Sequence, residues 1–254
     1  MSNISEGPKN IDNIATRVRK AVLRPPWARE LALHGLQFAR RLQFPGSADY
    51  WERRYARGGT SGAGSYGAYA EFKAEIINDF VTENVIGSII EFGCGDGNQL
   101  SLTKYEKYIG LDVSKSALTR CAKTFADDSS KSFFLYDSKC FVDRQGVFRA
   151  ELGLSLEVIF HLIEDDVFDA YMRHLFASAS RFVCIFSSDT DARLTEAPEE
   201  RDRKFSSWIE ANALEWQLVK KVPHKHPWDP VTRTGSVSDF YFYASGDQLA
   251  TVTT

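Results

Sequence analysis

Ser88-Ile89-Ile90-Glu91-Phe92-Gly93-Cys94-Gly95-Asp96-Gly97-Asn98 is the stretch that decides the fold. It reads as a short apolar strand running straight into a glycine-rich turn. A second apolar run, Tyr108-Ile109-Gly110-Leu111-Asp112, follows and stops on a carboxylate. Strand, glycine turn, helix, then a strand ending in an acid is how an open α/β sheet builds a nucleoside-binding site. The glycines let the backbone approach a ligand closely, and the acid can accept hydrogen bonds from ribose hydroxyls.

Working outward, apolar runs at 132–136, 151–157 and 181–187 read as further strands. Helical periodicity fills 98–104, 115–125, 164–177 and 203–214. This alternation predicts an α/β chain with a doubly wound, Rossmann-like parallel sheet. The end of the chain differs. Strand-like runs at 216–221 and 238–244 are separated by a proline-containing loop with no crossover helix, which predicts an antiparallel pair at the sheet edge. Upstream, residues 11–24 and 27–42 read as helices broken at Pro25-Pro26, and Tyr50–Tyr55 as a short aromatic one. Five glycines fall among residues 58–67, too many for regular structure alone. That segment is either a linker or, given its aromatic flanks, a loop that orders over a ligand. An amphipathic helix is expected at 68–84. The expected organisation is residues 1–84 as N-terminal helices and lid segment, and 85–254 as the core.

The glycine turn with Glu91 before it and Asp112 after it resembles the class I S-adenosylmethionine-dependent methyltransferases, and the Tyr50–Lys73 segment resembles members of the small-molecule or glycan-biosynthesis type. The resemblance implies a seven-stranded sheet with an antiparallel last strand, and S-adenosyl-L-methionine as cofactor. It places Glu91 near the cofactor's methionine amine, Gly93, Cys94, Gly95 and Gly97 in the close-approach loop, and Asp112 on the ribose hydroxyls. Val113 or Ser114 would lie beside the adenine. Asp137, after strand three, would accept from its exocyclic amine, or else is an ordinary turn acid. A dinucleotide enzyme fits less well, because Gly-x-Gly-x-x-Gly needs its third glycine one place later.

Leu154–Leu162 carries the second likeness: an acid, a hydrophobic stretch and a His at the exit of strand four. Glu157 and His161 match those positions. Glu157 is expected to complete the cofactor pocket or touch substrate. His161 either takes a hydroxyl proton as general base or caps local structure. Leu156-Glu157-Val158-Ile159 replaces the Asn/Asp-Pro-Pro-aromatic run of nucleic-acid amine methyltransferases, which argues against that substrate class. Glu164-Asp165-Asp166 suits a helix N-terminus.

Candidate substrate contacts are Tyr55 and Tyr66, with Tyr50, Trp51, Ser65 and Lys73 as further lid residues, and His226, Trp228 and Arg233 from the last loop. A phosphate or carboxylate on the substrate would call on Arg203 or Arg233. His224 and His226 lack a placed third ligand, so no metal is expected. The net charge of −3, with no long basic run, offers nothing for nucleic acid. The four cysteines have no metal-site spacing and suit a reducing cytoplasm. No apolar run approaches the roughly 18 residues of a membrane span. The expected reaction is methyl transfer to an oxygen, or less readily a nitrogen, of a small molecule or glycan precursor. The rivals are protein methylation and a non-catalytic methyltransferase-like partner. The N-terminal helices are read as a cap on the sheet or substrate site, or as a homodimer surface.

Overall fold

The computed structural model describes residues 44–192, 194, 197–229, 231, 232 and 234–252; the helices expected at 11–24 and 27–42 lie outside them. Seven strands form one sheet: β1 (Ser88–Phe92), β2 (Lys107–Asp112), β3 (Lys131–Leu135), β4 (Ala150–Leu156), β5 (Ala179–Ser187), β6 (Trp216–Val222) and β7 (Asp239–Ser245). Their order is β3-β2-β1-β4-β5-β7-β6. The first five pair in parallel, and β7 runs antiparallel to both β5 and β6. This is the expected sheet, with the antiparallel strand inserted beside the edge.

The helices are α1 (Ser47–Ala56), α2 (Gly67–Glu83), α3 (Lys115–Thr124), α4 (Asp165–Ala177), α5 (Phe205–Asn212) and α6 (Gly246–Val252). Two apolar layers sandwich the sheet, and strand alternation sorts residues between them. On β7, Phe240, Phe242 and Ala244 join the layer under α2, where Phe80 stacks on Phe242 at 4.1 Å. Tyr241 and Tyr243 face the layer of Met172 and Leu175 from α4 and Ile209 from α5. Each fully buried side chain of this size contributes about 1.5–3 kcal/mol, and both faces of the central strands are sealed, while β3 and β6 at the edges stay largely exposed. Sealing on both faces is why the central strands read as continuous apolar runs.

One expected helix is absent. Residues 98–104 form only a short 3-10 turn, Leu100–Leu102, after which Thr103 is extended. The local polar side chains bond to backbone instead of extending a helix: Ser101 Oγ donates to the Asn98 carbonyl at 2.6 Å and Thr103 Oγ1 to the Leu100 carbonyl at 2.8 Å. Asn98 and Gln99 are drawn away to the carbonyls of Ser65 and Ala70.

Because β2 and β3 lie on one side of β1 and β4 and β5 on the other, the chain reverses direction between β1 and β4. The carboxyl ends of these two strands flank the crevice where such sheets bind ligands.

Candidate active site

Two clefts meet at that crevice. The first, a narrow space of ≈ 80 Å³, is bordered by Glu91, Gly93, Cys94, Gly95, Gln99, Asp112 and Glu157, together with Tyr55, Ser61 and Lys73. The second continues past Gly93 and Asp112 to Val113, Leu135, Tyr136 and Asp137. Gly93, Asp112 and Val158 border both.

The turn after β1 needs its glycines. Gly93 has φ +83°, and a Cβ there would stand 2.5 Å from Val158 Cγ2. Gly95 has φ +59°, and its Cβ would meet Ser61 Oγ at 2.4 Å. Asp112 then fastens the turn: its Oδ2 accepts from the Gly95 amide at 2.9 Å and its Oδ1 from the Ser114 amide at 2.8 Å. One acceptor direction on each oxygen stays open. Burial pushes the Asp112 carboxyl up to about 6, against the pull of those two amides. Glu91 is buried on the same floor and accepts from Tyr108 Oη at 2.6 Å. Burial pushes it up to about 7, while the Tyr108 hydrogen bond and the Lys73 charge work the other way.

The glycine-rich segment is ordered across this turn. Ser61 donates through its amide to Asp96 Oδ2 at 3.0 Å and through Oγ to Asp96 Oδ1 at 2.8 Å. Tyr66 Oη adds a third bond to Asp96 at 2.8 Å. Burial works to raise Asp96, but the bonds from Tyr66 and Ser61 hold it below the usual carboxylate range. Arg120 clamps the same segment through the carbonyls of Gly59 and Tyr55. Tyr55 is buried, its hydroxyl 2.9 Å from Ser61 Oγ. Glu52 ties α1 to the start of α3 by accepting from Ser114 Oγ at 2.7 Å and Ser116 Oγ at 2.6 Å. Between linker and ordered loop, the structure favours the loop.

At the exit of β4, Glu157 has a left-handed backbone, φ +59°. Its Oε2 accepts from Lys73 Nζ at 2.8 Å. His161 follows in a 3-10 turn, packed edge-on to Trp51 at 4.9 Å. Its Nδ1 lies 3.0 Å from the Glu199 carbonyl oxygen. A carbonyl only accepts, so Nδ1 carries the proton and Nε2 keeps the lone pair. Burial lowers the His161 pKa, which favours the neutral ring.

Several expected residues sit elsewhere. Ser114 is buried as the N-cap of α3, its Oγ accepting from the Ala117 amide, so of these two residues Val113 borders the second cleft. Asp137 borders that cleft but is exposed, its Oδ1 accepting from the Lys139 amide at 2.9 Å; it is a turn acid as well. Gly97 borders neither cleft and packs toward Cys121 and Phe125. Tyr66 holds Asp96 and borders none of the described clefts, and His226 is exposed and borders none either. Trp228, 45% exposed, borders an outer cleft with Glu157 and Phe160. Arg233 lies outside the described residues. Arg203 is not available to a substrate: it is buried, donating to the carbonyls of Leu162 and Ile163 and to Asp165 at 2.7 Å. Glu164 accepts from Ser47 and Asp165 pairs with Arg201 and Arg203, so two acids of the triplet brace the loop after β4.

Sequence reading missed Ser61, Asp96 and Gln99. Gln99 is 7% exposed, donates to the Ala70 carbonyl, and leaves Oε1 buried without a partner on the cleft wall. Among the described residues, no group of three His, Cys, Asp or Glu is placed to hold a metal, and no helix is long and apolar enough to cross a membrane.

The architecture matches solved structures. The methyltransferase domain of bacterial CtHen1-C aligns with a TM-score of 0.55 at 20% identity, covering 69% of this chain and 98% of that one. The N-methyltransferase NodS from Bradyrhizobium japonicum, solved with S-adenosyl-L-homocysteine, aligns with a TM-score of 0.60 at 13% identity, covering 79% and 98%. Magnesium protoporphyrin IX methyltransferase from Synechocystis, also solved with S-adenosyl-L-homocysteine, aligns with a TM-score of 0.53 at 12% identity, covering 78% and 93%. The chain shares their fold. At these identities the likeness extends no further. No family model and no curated protein matches the sequence.

Proposed function

We propose that this protein is an S-adenosyl-L-methionine-dependent methyltransferase acting on an oxygen of a small molecule or glycan precursor. The observation that carries the reading is the pair of buried carboxylates, Glu91 and Asp112, facing one cleft beneath a glycine turn at the sheet's reversal point. The residues fit that cofactor. Asp112 has open acceptor directions for two ribose hydroxyls. Glu91 and the orphaned Gln99 Oε1 supply acceptors for an ammonium group. Val113, Leu135 and Asp137 line the side that would take an adenine.

When bound, the cofactor supplies an electrophilic methyl group on a sulfonium. The chain's own part is alignment, water exclusion and proton removal. His161 Nε2 receives the acceptor's hydroxyl proton, and Nδ1–H held by the Glu199 carbonyl keeps the ring in the right tautomer. The segment around Ser61–Tyr66, latched on Asp96, excludes water from above. A lid of this kind suits a small acceptor better than a protein chain. The lid lies upstream of the core expected at 85–254, and we take it as part of the same catalytic unit.

Calorimetric titration with S-adenosyl-L-homocysteine tests this. Micromolar affinity is expected. Asp112→Ala should weaken it about a hundredfold or more, since two charge-assisted hydrogen bonds are lost at about 1.5–3 kcal/mol each. Asp112→Asn checks that the loss is not one of folding. No binding by folded wild-type protein would sink the proposal.

A further inference from the structure

Glu157 stands where three clefts meet: the cofactor cleft, a lid-side cleft with Trp51, His161 and Glu199, and an outer cleft with Phe160, Asp202 and Trp228. Its charge has one fixed partner. Lys73, 1% exposed and set on α2 just past the lid, gives its ammonium to Oε2 at 2.8 Å. Neither Lys73 Nζ nor Glu157 Oε1 has another hydrogen-bond partner among the described residues. The carboxylate keeps 21% side-chain exposure, and Gly64 of the lid packs directly on it: a Cβ there would fall 2.2 Å from Oε2. The carboxylate is therefore pinned from one side by a sealed cation and from above by a residue without a side chain. One oxygen remains for something else.

The surroundings decide what that is. Lys73 is spent on Glu157. Arg54 gives its Nε–H to the Thr60 carbonyl, lies over the face of Trp51 and borders the lid-side cleft. Glu199 accepts from Tyr50, Asp202 accepts from Ser188 and Leu194, and the Glu200 carboxylate has no partner among the described residues. Apart from Glu91 and Asp112 on the cofactor floor, the clefts carry four carboxylates, Glu157, Glu199, Glu200 and Asp202, against two cations, Lys73 and Arg54, and Glu157 Oε1, His161 Nε2 and Glu200 are open acceptors among the described residues. The walls are the aromatic faces of Trp51, Phe160 and Trp228, which suit a cation or a sugar ring.

We propose that Glu157, oriented by Lys73, is an acceptor-specificity residue that receives an N–H or O–H donor beside the acceptor's nucleophile, so that amine- or polyol-bearing small molecules are taken and phosphorylated or carboxylated ones are refused. This rests on the methyl-transfer reading above. It also replaces the earlier expectation that Arg203 receives an anionic substrate group.

The test uses the full chain saturated with S-adenosyl-L-homocysteine. Ligand-observed saturation-transfer NMR is recorded with glucosamine, glucose and glucose 6-phosphate at equal millimolar concentration. Failure of the first step, cofactor-product binding, would count against the methyl-transfer reading itself. With that binding in place, signals are expected from glucosamine, glucose or both, and not from the phosphate. Glu157→Gln keeps the shape and removes the charge. With every sugar titration run at saturating S-adenosyl-L-homocysteine, it should weaken the bound sugar about tenfold, the size of one charge-assisted hydrogen bond. Loss confined to glucosamine identifies an amine donor, and loss of both a hydroxyl. Lys73→Met should reproduce the defect, and Lys73→Arg should restore part of it, which a purely structural lysine would not do selectively. Equal binding of glucose 6-phosphate, no binding of any sugar, or full sugar binding by Glu157→Gln would each overturn the proposal.

Discussion

The chain leaves β1 and β4 through two neighbouring left-handed residues, and it fills them in opposite ways. After β1 the position is Gly93, with φ +83°; after β4 it is Glu157, with φ +59°. The strands are paired, and the exits touch, since a Cβ on Gly93 would strike Val158. A long side chain in this backbone region costs on the order of 1–2 kcal/mol, a cost that glycine avoids. The β1 exit removes a side chain so that backbone can come near a ligand. The β4 exit accepts strain so that a carboxylate can stand at the junction of the clefts. In the proposed enzyme this is a division of labour: the first exit holds the cofactor and the second acts on the acceptor.

The sharpest attempt to break that division is His161→Gln. If the β4 exit serves turnover, kcat should fall about 10²–10⁴-fold, the span of general acid–base contributions. S-adenosyl-L-homocysteine affinity should stay within about twofold by calorimetry. A comparable loss of affinity would merge the two exits into one function. Gly93→Ala probes the other side. The added methyl group meets Val158 Cγ2 at 2.5 Å, and overpacking of this kind costs about 1–3 kcal/mol. We expect roughly tenfold weaker cofactor-product binding and a lower melting temperature. Val158→Ala in the same chain should recover part of both. Failure of that second change to help would mean that the strained backbone, not the contact, is responsible.

The same contrast explains which parts were legible in the sequence. Gly93, Gly95 and Asp112 announce themselves because the β1 exit is built from residues close together in the chain, and their types follow from backbone geometry. The sheet was legible for the same reason: buried parallel strands are contiguous apolar runs, and among the described residues only the helix expected at 98–104 was lost to local polar side chains. The β4 exit and the lid over the β1 turn are assembled over long separations. Lys73 meets Glu157 across 84 positions and Ser61 meets Asp96 across 35. No local pattern reports such pairings, so Ser61, Asp96 and Gln99 went unread. Arg203 was misassigned because a charged residue in a helix-start context does not disclose that two carbonyls and Asp165 enclose it.

A smaller effect separates the two carboxylates of the cofactor half. Glu91 sits near 7 in the folded protein against an ordinary value of 4.5. A raised carboxyl stabilises the fold fully below about 4.5, and that contribution is lost as pH rises through 7. Binding of an ammonium group beside Glu91 has the opposite preference, because it favours the ionised form. Cofactor-product affinity should therefore rise with pH up to about 7, with proton release visible as buffer-dependent heats in calorimetry. Glu91→Gln should remove both the release and the fall in stability across that window. Unchanged proton release in the variant would transfer the titration to Asp112, which lies near 6.

The least disruptive change is Tyr66→Phe, which removes one hydroxyl from the lid and leaves its ring. Asp96 loses the 2.8 Å bond from Tyr66 but keeps both bonds from Ser61. A single hydrogen bond to a charged group contributes about 1.5–3 kcal/mol when buried. Tyr66 is part-exposed and water can replace the lost donor, so the net effect should be nearer 0.5–1 kcal/mol. Because the latch belongs to the lid and not to the cofactor floor, the expected signature is kinetic: about threefold faster release of S-adenosyl-L-homocysteine in stopped flow, with an association rate little changed and His161-dependent chemistry intact. An effect on kcat with no change in release would place Tyr66 with the β4 exit instead, and the boundary between the two halves would have to be redrawn through the lid.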